Sequence, residues 1–96
     1  MFEKAGPQYV VDKKNGLSLE ATGPYSFLYR DNQRSATLSS EPLLDEKGIY
    51  CVCLYLSDLE QWDEPEGAPV NEAERKKIEE DVVSALALLD IEVEVE

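Results

Sequence analysis

The segment NEAERKKIEEDVVSALALLD, residues 71–90, constrains the fold most, because its apolar residues recur at helical spacing. Asn71 can cap the helix, and Glu74 three residues later completes a capping-box pattern. At roughly 100° per residue, one stripe of the helix holds the apolar side chains of Ile78, Val82, Ala85, Leu86 and Leu89. The next residues, IEVEVE, alternate apolar and acidic side chains, which predicts a strand with one solvated face. The chain therefore needs a sheet on which this helix can pack.

The first half of the chain supplies candidate strands for that sheet. Residues 8–12 and 17–22 are rich in strand-forming residues and flank an Asn-Gly pair, which favours a tight hairpin turn. Residues 25–31 and 34–39 form a second pair around Asn-Gln. These patterns predict an antiparallel meander.

Residues 49–57, IYCVCLYLS, are apolar on both faces, which is typical of a central strand covered on two sides. Residues 40–48 before it are expected to be an irregular connection. The patterns together predict an α+β fold: an antiparallel sheet of about five or six strands, with one main C-terminal helix at residues 71–89 packed on one face and a final strand returning to the sheet. The length suits a single domain over 1–96, with a flexible tail at 1–7.

The negative charge is concentrated in the second part of the chain. Residues 58–96 hold fourteen acids and three bases, a net of −11, whereas residues 1–57 hold seven acids and six bases, a net of −1. Such a field repels nucleic acid and anionic lipid and accelerates association with a basic partner, although acidity also serves solubility alone. We expect a basic protein partner and no nucleic acid or membrane partner.

The residue types restrict the chemistry. The chain has no histidine, the commonest general base. Cys51 and Cys53 are two residues apart on a predicted strand, at the distance limit for an unstrained disulfide, and further zinc ligands of the usual type are lacking. We therefore predict a protein that is not an enzyme, with no catalytic residues, cofactor or metal site; an enzyme using carboxylates alone stays an alternative. Reduced thiols and the lack of a signal-peptide pattern or an apolar run of about 18 residues predict a cytoplasmic protein.

The acidic loop that precedes the helix is the candidate binding site. Tryptophan is enriched at binding hot spots, and Trp62 is the one tryptophan of the chain. The carboxylates around it are Asp58, Glu60, Asp63, Glu64 and Glu66. Two interpretations are open: Trp62 is an anchor with an acidic rim for a basic partner, or it plugs the gap between sheet and helix while the carboxylates are merely solvated.

The order of features from residue 49 onward resembles a family of small bacterial immunity proteins encoded beside polymorphic toxins. The shared features are an apolar strand, a Trp-x-x-Pro loop, an ER-rich helix and an acidic C-terminal strand. The matching positions are Trp62, Pro65, Glu74, Arg75, Ile78, Ala85 and Leu86. Asp90 departs from the glycine expected at the end of the helix.

The resemblance implies a function as a cytoplasmic antidote that binds and neutralises a cognate bacterial toxin domain, with a basic nuclease as one candidate toxin. It transfers no binding residues. An acidic secretion-type chaperone for an effector protein is the alternative; a chaperone of that kind would dimerise, whereas the antidote is expected to be a monomer.

Overall fold

The computed structural model describes residues 2–6, 8–23, 25–32, 34–44 and 50–96, with the side chains of residues 44 and 50 excepted. Within these residues the chain forms seven strands, one α-helix and a 3-10 turn at Leu56–Asp58. The strands and the helix are, in chain order, β1 (Glu3–Gly6), β2 (Tyr9–Asp12), β3 (Leu17–Gly23), β4 (Ser26–Asp31), β5 (Arg34–Leu44), β6 (Tyr50–Leu54), α1 (Glu72–Ala87) and β7 (Glu92–Val95).

The strands form one sheet in sequence order, from β1 to β7. Neighbouring strands are antiparallel except β6 and β7, which are parallel because α1 carries the chain back along the sheet between them. The predicted α+β class, the C-terminal helix and the returning strand are confirmed. The predicted sheet of about five or six antiparallel strands was wrong, since the described residues form a mixed sheet of seven.

Strand β5 extends into residues that were predicted to be a connection, and this adds strand pairing that was not expected. Its first half pairs with β4 as far as Ser39, and its second half pairs with β6 from Ser40 to Leu44. Residues 40–44 were expected to be a connection, partly because of Pro42; residues 45–49 lie outside the described part of the chain. Ser40 N–H donates to the Tyr25 carbonyl on the β4 side at 2.9 Å, so the nitrogen of Pro42 faces the same side, beyond the end of β4, where no ladder bond is needed.

Two other elements differ from expectation. Residues 3–6 fall in the segment predicted to be a tail, but they form β1, in which Glu3 lies opposite Val11 of β2. Residues 49–57 were predicted to be one strand; in the structure β6 ends at Leu54, and the chain then makes the 3-10 turn. The strand β6 was predicted to be central; it lies between β5 and the edge strand β7, so it is an interior strand but not the central one of the seven.

The capping box of α1 forms as the sequence predicts. Glu74 N–H donates to Asn71 Oδ1 at 2.7 Å, and Asn71 N–H donates to Glu74 Oε1 at 3.1 Å. At the other end, Asp90 has a φ of +58°, in the left-handed region where glycine is commoner. Ile91 N–H donates to the Leu86 carbonyl at 3.0 Å, so an aspartate closes the helix with the geometry that a glycine would give.

The core lies between α1 and one face of the sheet. The helix contributes four fully buried side chains, those of Ile78, Val82, Ala85 and Leu86. The sheet contributes alternate residues of successive strands: Val10, Leu17, Leu19, Phe27, Tyr29, Ala36, Leu38, Val52 and Leu54. Burial of each large apolar side chain contributes about 1.5–3 kcal/mol before the entropy of ordering is counted. The fold thus leaves one face of the sheet, called here the outer face, away from the helix.

Candidate functional site

The acidic loop, residues 58–70, is ordered by bonds within its own backbone. Trp62 N–H donates to the Ala68 carbonyl at 2.8 Å, and Val70 N–H donates to the Glu60 carbonyl at 3.0 Å. The two arms of the loop therefore run antiparallel, as in a short hairpin. The loop keeps a defined shape although it lies between the last interior strand and the helix.

The tip of the acidic loop is also attached to β5. Ser35 N–H donates to the Glu64 carbonyl at 2.9 Å, and Asp63 N–H donates to the Ser35 carbonyl at 2.7 Å. The Thr37 hydroxyl donates to Asp63 Oδ2 at 2.7 Å. These bonds satisfy backbone groups of β5 at Ser35, a part of the strand that β6 does not reach. The loop therefore takes the place of a neighbouring strand there.

The side chain of Trp62 points into the fold. It is 3% exposed, and its ring centroid lies 4.3 Å from the guanidinium carbon of Arg34 and 6.3 Å from the ring centroid of Tyr29. Its indole Nε1 is buried and makes no full hydrogen bond, although the indole N–H lies near enough to Glu74 to help lower the pKa of that carboxyl. This is the geometry of a plug in the core. Direct contact of Trp62 with a partner stays a prediction, and in this conformation the indole is not exposed for it.

The predicted carboxylates, in contrast, are on the surface. All five are exposed: Asp58, Glu60, Asp63, Glu64 and Glu66. They lie on one loop whose backbone is bonded to itself and to β5, so their positions are set by the fold. Among the described residues, no salt bridge involves any of the five, and Asp63 accepts a hydrogen bond from the uncharged Thr37 hydroxyl. The acidic loop therefore presents a negatively charged surface to solvent.

Arg34 connects the acidic loop, the sheet and the helix. Its guanidinium stacks on Trp62, donates to Asp31 Oδ2 at 2.9 Å and also pairs with Glu74 at the start of α1. Asp31 is buried, but the side chain of Arg34 is 37% exposed, so water screens this ion pair in part. The Asn71 backbone N–H and the Arg34 guanidinium together hold the pKa of Glu74 below its usual value. One arginine thus fixes the loop against two elements of the core.

A second polar group lies beside this contact. Tyr29 donates its hydroxyl hydrogen to Asp81 Oδ2 at 2.6 Å, and Lys77 Nζ lies 2.7 Å from the same oxygen. Burial and the Asp81 carboxylate raise the pKa of Tyr29. Neither this group nor the Arg34 contact was predicted from the sequence. Lys77 and Asp81 are four residues apart on a helix, a spacing that indicates an ion pair. Their contact with Tyr29 depends on the packing of the helix on the sheet.

Metal-ligand clusters and cavities bear on the alternative of an enzyme. Among the described residues no group of three or more histidine, cysteine, aspartate or glutamate side chains is placed to hold a metal ion. A cavity of about 360 Å³ lies between the sheet and the end of α1. Its lining holds no carboxylate and consists of Gln8, Ala21, Gly23, Phe27, Ser40, Leu89 and Ile91. This cavity therefore lacks the paired acids that a carboxylate-only enzyme would use.

Comparison of the chain with protein-family models, with characterised proteins and with solved structures finds no match. The resemblance to immunity proteins accordingly stays a prediction. No helix in the described part of the chain has both the length and the apolar character needed to cross a bilayer.

Proposed function

We propose that this chain is a non-enzymatic binding protein for a basic protein partner, and specifically an immunity protein that neutralises a cognate bacterial toxin domain. The observation that supports this proposal best is the acidic loop, which exposes five carboxylates while its backbone is bonded to β5 and its tryptophan is packed inside. A surface that is already ordered loses little conformational entropy when a partner binds.

The charge distribution favours a basic partner. Residues 58–96 have a net charge of −11, and the acidic loop, α1 and β7 all belong to that part of the chain. Such a field accelerates encounter with a positively charged surface and suppresses encounter with an acidic one. A basic nuclease would fit this surface, because the loop carboxylates would take the places of substrate phosphates in its cleft.

We further propose that the protein is a monomer in a reducing compartment. Cys51 and Cys53 are buried as thiols on β6, which suits the cytoplasm, where thiols stay reduced. A monomer agrees with a partner bound one to one, whereas the chaperone alternative requires a dimer with a shared groove. Size-exclusion chromatography with light scattering separates these two expectations.

The test uses the protein encoded beside this chain as the candidate toxin. Co-expression should restore growth of toxin-producing cells, and the purified pair should form a one-to-one complex. The double variant Asp63→Asn, Glu64→Gln should lower the association rate several-fold at low salt, since charges at the rim of an interface act mainly on encounter. The asparagine can still accept the Thr37 hydrogen bond, so the loop backbone should stay in place.

Glu79→Gln, Glu80→Gln is the matched control, because it also removes two negative charges and both carboxylates belong to α1 and not to the acidic loop. It should change the association rate much less than the double variant does. The effect of the double variant should also shrink as salt screens the charges. Cells that die in spite of co-expression, or a double variant with the same association rate as the control, would refute the proposal. A stable dimer that retains several partly unfolded proteins would instead favour the chaperone.

A further inference from the structure

The strand β7 has an open edge. It is the last strand of the sheet, and in the described residues only β6 pairs with it. Glu96 directs both its backbone groups toward the β6 side: its N–H donates to the Leu54 carbonyl at 2.8 Å, and its carbonyl accepts from Ser57 N–H at 3.0 Å. Because successive residues of a strand alternate in direction, the N–H and C=O groups of Val93 and Val95 point to the open side.

The two faces of β7 differ in chemistry. Val93 and Val95 lie on the core face, where they are partly buried and pack against the core cluster. Glu92 and Glu94 are exposed on the outer face. The acidic character extends across the sheet there, because Glu94 lies beside Cys53 of β6, whose other neighbour is the exposed Glu41 of β5. A strand added at this edge would therefore meet apolar groups on one face and carboxylates on the other.

We propose that the open edge of β7 binds an extended segment of a basic protein as an added strand. The segment would alternate lysine or arginine, opposite Glu92 and Glu94, with apolar residues that cover the exposed parts of Val93 and Val95. Backbone bonds to the two valines would supply affinity, and the alternation would supply specificity. The inference rests on the proposed function in one respect, since it takes the basic partner to be the same protein that the acidic loop attracts.

The charges indicate why the occupant is a different protein and not a second copy of this chain. Two β7 edges paired with each other would bring their glutamates together on the outer face, and like charges on directly opposed strand residues are destabilising. Carboxylates on an edge strand discourage such pairing. A strand with basic residues at every second position turns the same charges into attraction.

The probe is a blocked hexapeptide of sequence KVKVKV, titrated into the full chain labelled with nitrogen-15. We expect chemical-shift changes and slower hydrogen exchange at the amides of Val93 and Val95. A peptide KKKVVV, with the same composition but without alternation, should bind at least about tenfold more weakly. Val93→Pro removes one outward N–H and no bond to β6, so it should weaken binding of KVKVKV about fivefold or more. Val93→Ile keeps the N–H and is the control.

Val95→Pro is a second variant that repeats the test if Val93→Pro disturbs the fold, which the spectrum of the free variant reports. Equal binding of the two peptides, changes confined to the acidic loop, or unchanged affinity in the proline variants would overturn the inference. So would self-association of the free chain through Val93 and Val95. Hexalysine tests the proposed function separately: if it perturbs the acidic loop while KVKVKV leaves β7 unchanged, only the edge inference fails. If hexalysine leaves the loop unperturbed, the electrostatic basis of the proposed function fails.

Discussion

Replacing Trp62 by alanine should destabilise the fold strongly, because the indole is a core side chain despite its place in an acidic loop. It is 3% exposed and packs between Arg34 and Tyr29. Truncation of a buried tryptophan costs about 3–5 kcal/mol of unfolding free energy, and the lost cation–π contact adds about 0.5–1 kcal/mol. This is a large part of a typical total of about 5–15 kcal/mol.

Trp62→Phe is the informative companion. Phenylalanine keeps a ring for Arg34 and Tyr29 and removes the buried indole N–H, whose weak interaction with Glu74 compensates its burial only in part. The smaller ring leaves some space, so we expect a net loss of less than half of that for alanine. Because Trp62 is the one tryptophan, unfolding in urea has to be followed by far-ultraviolet circular dichroism and not by tryptophan fluorescence.

A double-mutant cycle isolates the contact with Arg34. Arg34→Met keeps most of the aliphatic stem but removes the guanidinium, together with its bonds to Asp31 and Glu74. Its cost should be smaller in the Trp62→Ala background than in the wild type by about 0.5–1 kcal/mol, the coupling of the stacked pair. An alanine loss below about 1 kcal/mol, or a coupling of zero, would mean that the indole is not packed as the structure has it.

Three further predictions test the core and its polar contacts. Leu86→Asp should leave the chain unfolded by circular dichroism, because a carboxylate would replace a fully buried side chain in the helix stripe. Burial and the Asp81 carboxylate raise the pKa of Tyr29, so the stability contributed by its protonated hydroxyl is fully present below pH 10.0 and declines as the pH rises from there toward the higher folded value. Tyr29→Phe should cost about 1–2 kcal/mol at neutral pH and reduce this alkaline loss, as measured by urea unfolding across pH. The lowered pKa of Glu74 means that its contribution to stability is present above pH 4.5 and is lost as the pH falls through the lower folded value. Glu74→Gln should therefore flatten the acid side of the plot of unfolding free energy against pH. An unchanged slope would contradict this.

Local patterns in the sequence predicted the elements whose structure depends on neighbouring residues. The helix begins at Glu72, and Asn71 caps it with both capping-box bonds in place. The turn between β2 and β3 uses Gly16 at a φ of +68°, where a Cβ would also meet Asn32 Oδ1 at 2.2 Å, so the expected glycine is required, whereas Asn15 does not take the positive φ of a two-residue turn. Such signals need only the chemistry of a few adjacent residues.

The features that sequence reasoning missed depend on residues far apart in the chain. Pro42 favoured a connection. It fits in β5 because β4 starts only at Ser26, opposite Ser39, so β4 does not extend alongside the nitrogen of Pro42. Arg34 contacts Glu74, which lies forty residues further along the chain, because the packing of the sheet, the acidic loop and the helix brings the two together. No local pattern distinguishes this pair from the many other combinations of opposite charge in the chain. Tertiary packing decides such contacts, and their consequence here is that a polar cluster surrounds the tryptophan.

The two interpretations of the acidic loop, a core plug and a binding surface, both follow from the alternating directions of two successive side chains. Trp62 turns inward against Arg34, while the next residue, Asp63, turns outward and accepts the Thr37 hydroxyl on the outer face of the sheet. Burial of the indole therefore acts together with the backbone bonds to β5 in fixing the outward Asp63, so a plug in the core also serves a binding surface. It follows that Trp62→Ala can weaken binding without any lost contact, by allowing the loop to move. Such a loss should appear mainly in the dissociation rate and shrink when binding is corrected for the unfolded fraction, whereas Asp63→Asn should act on the association rate in a fully folded protein.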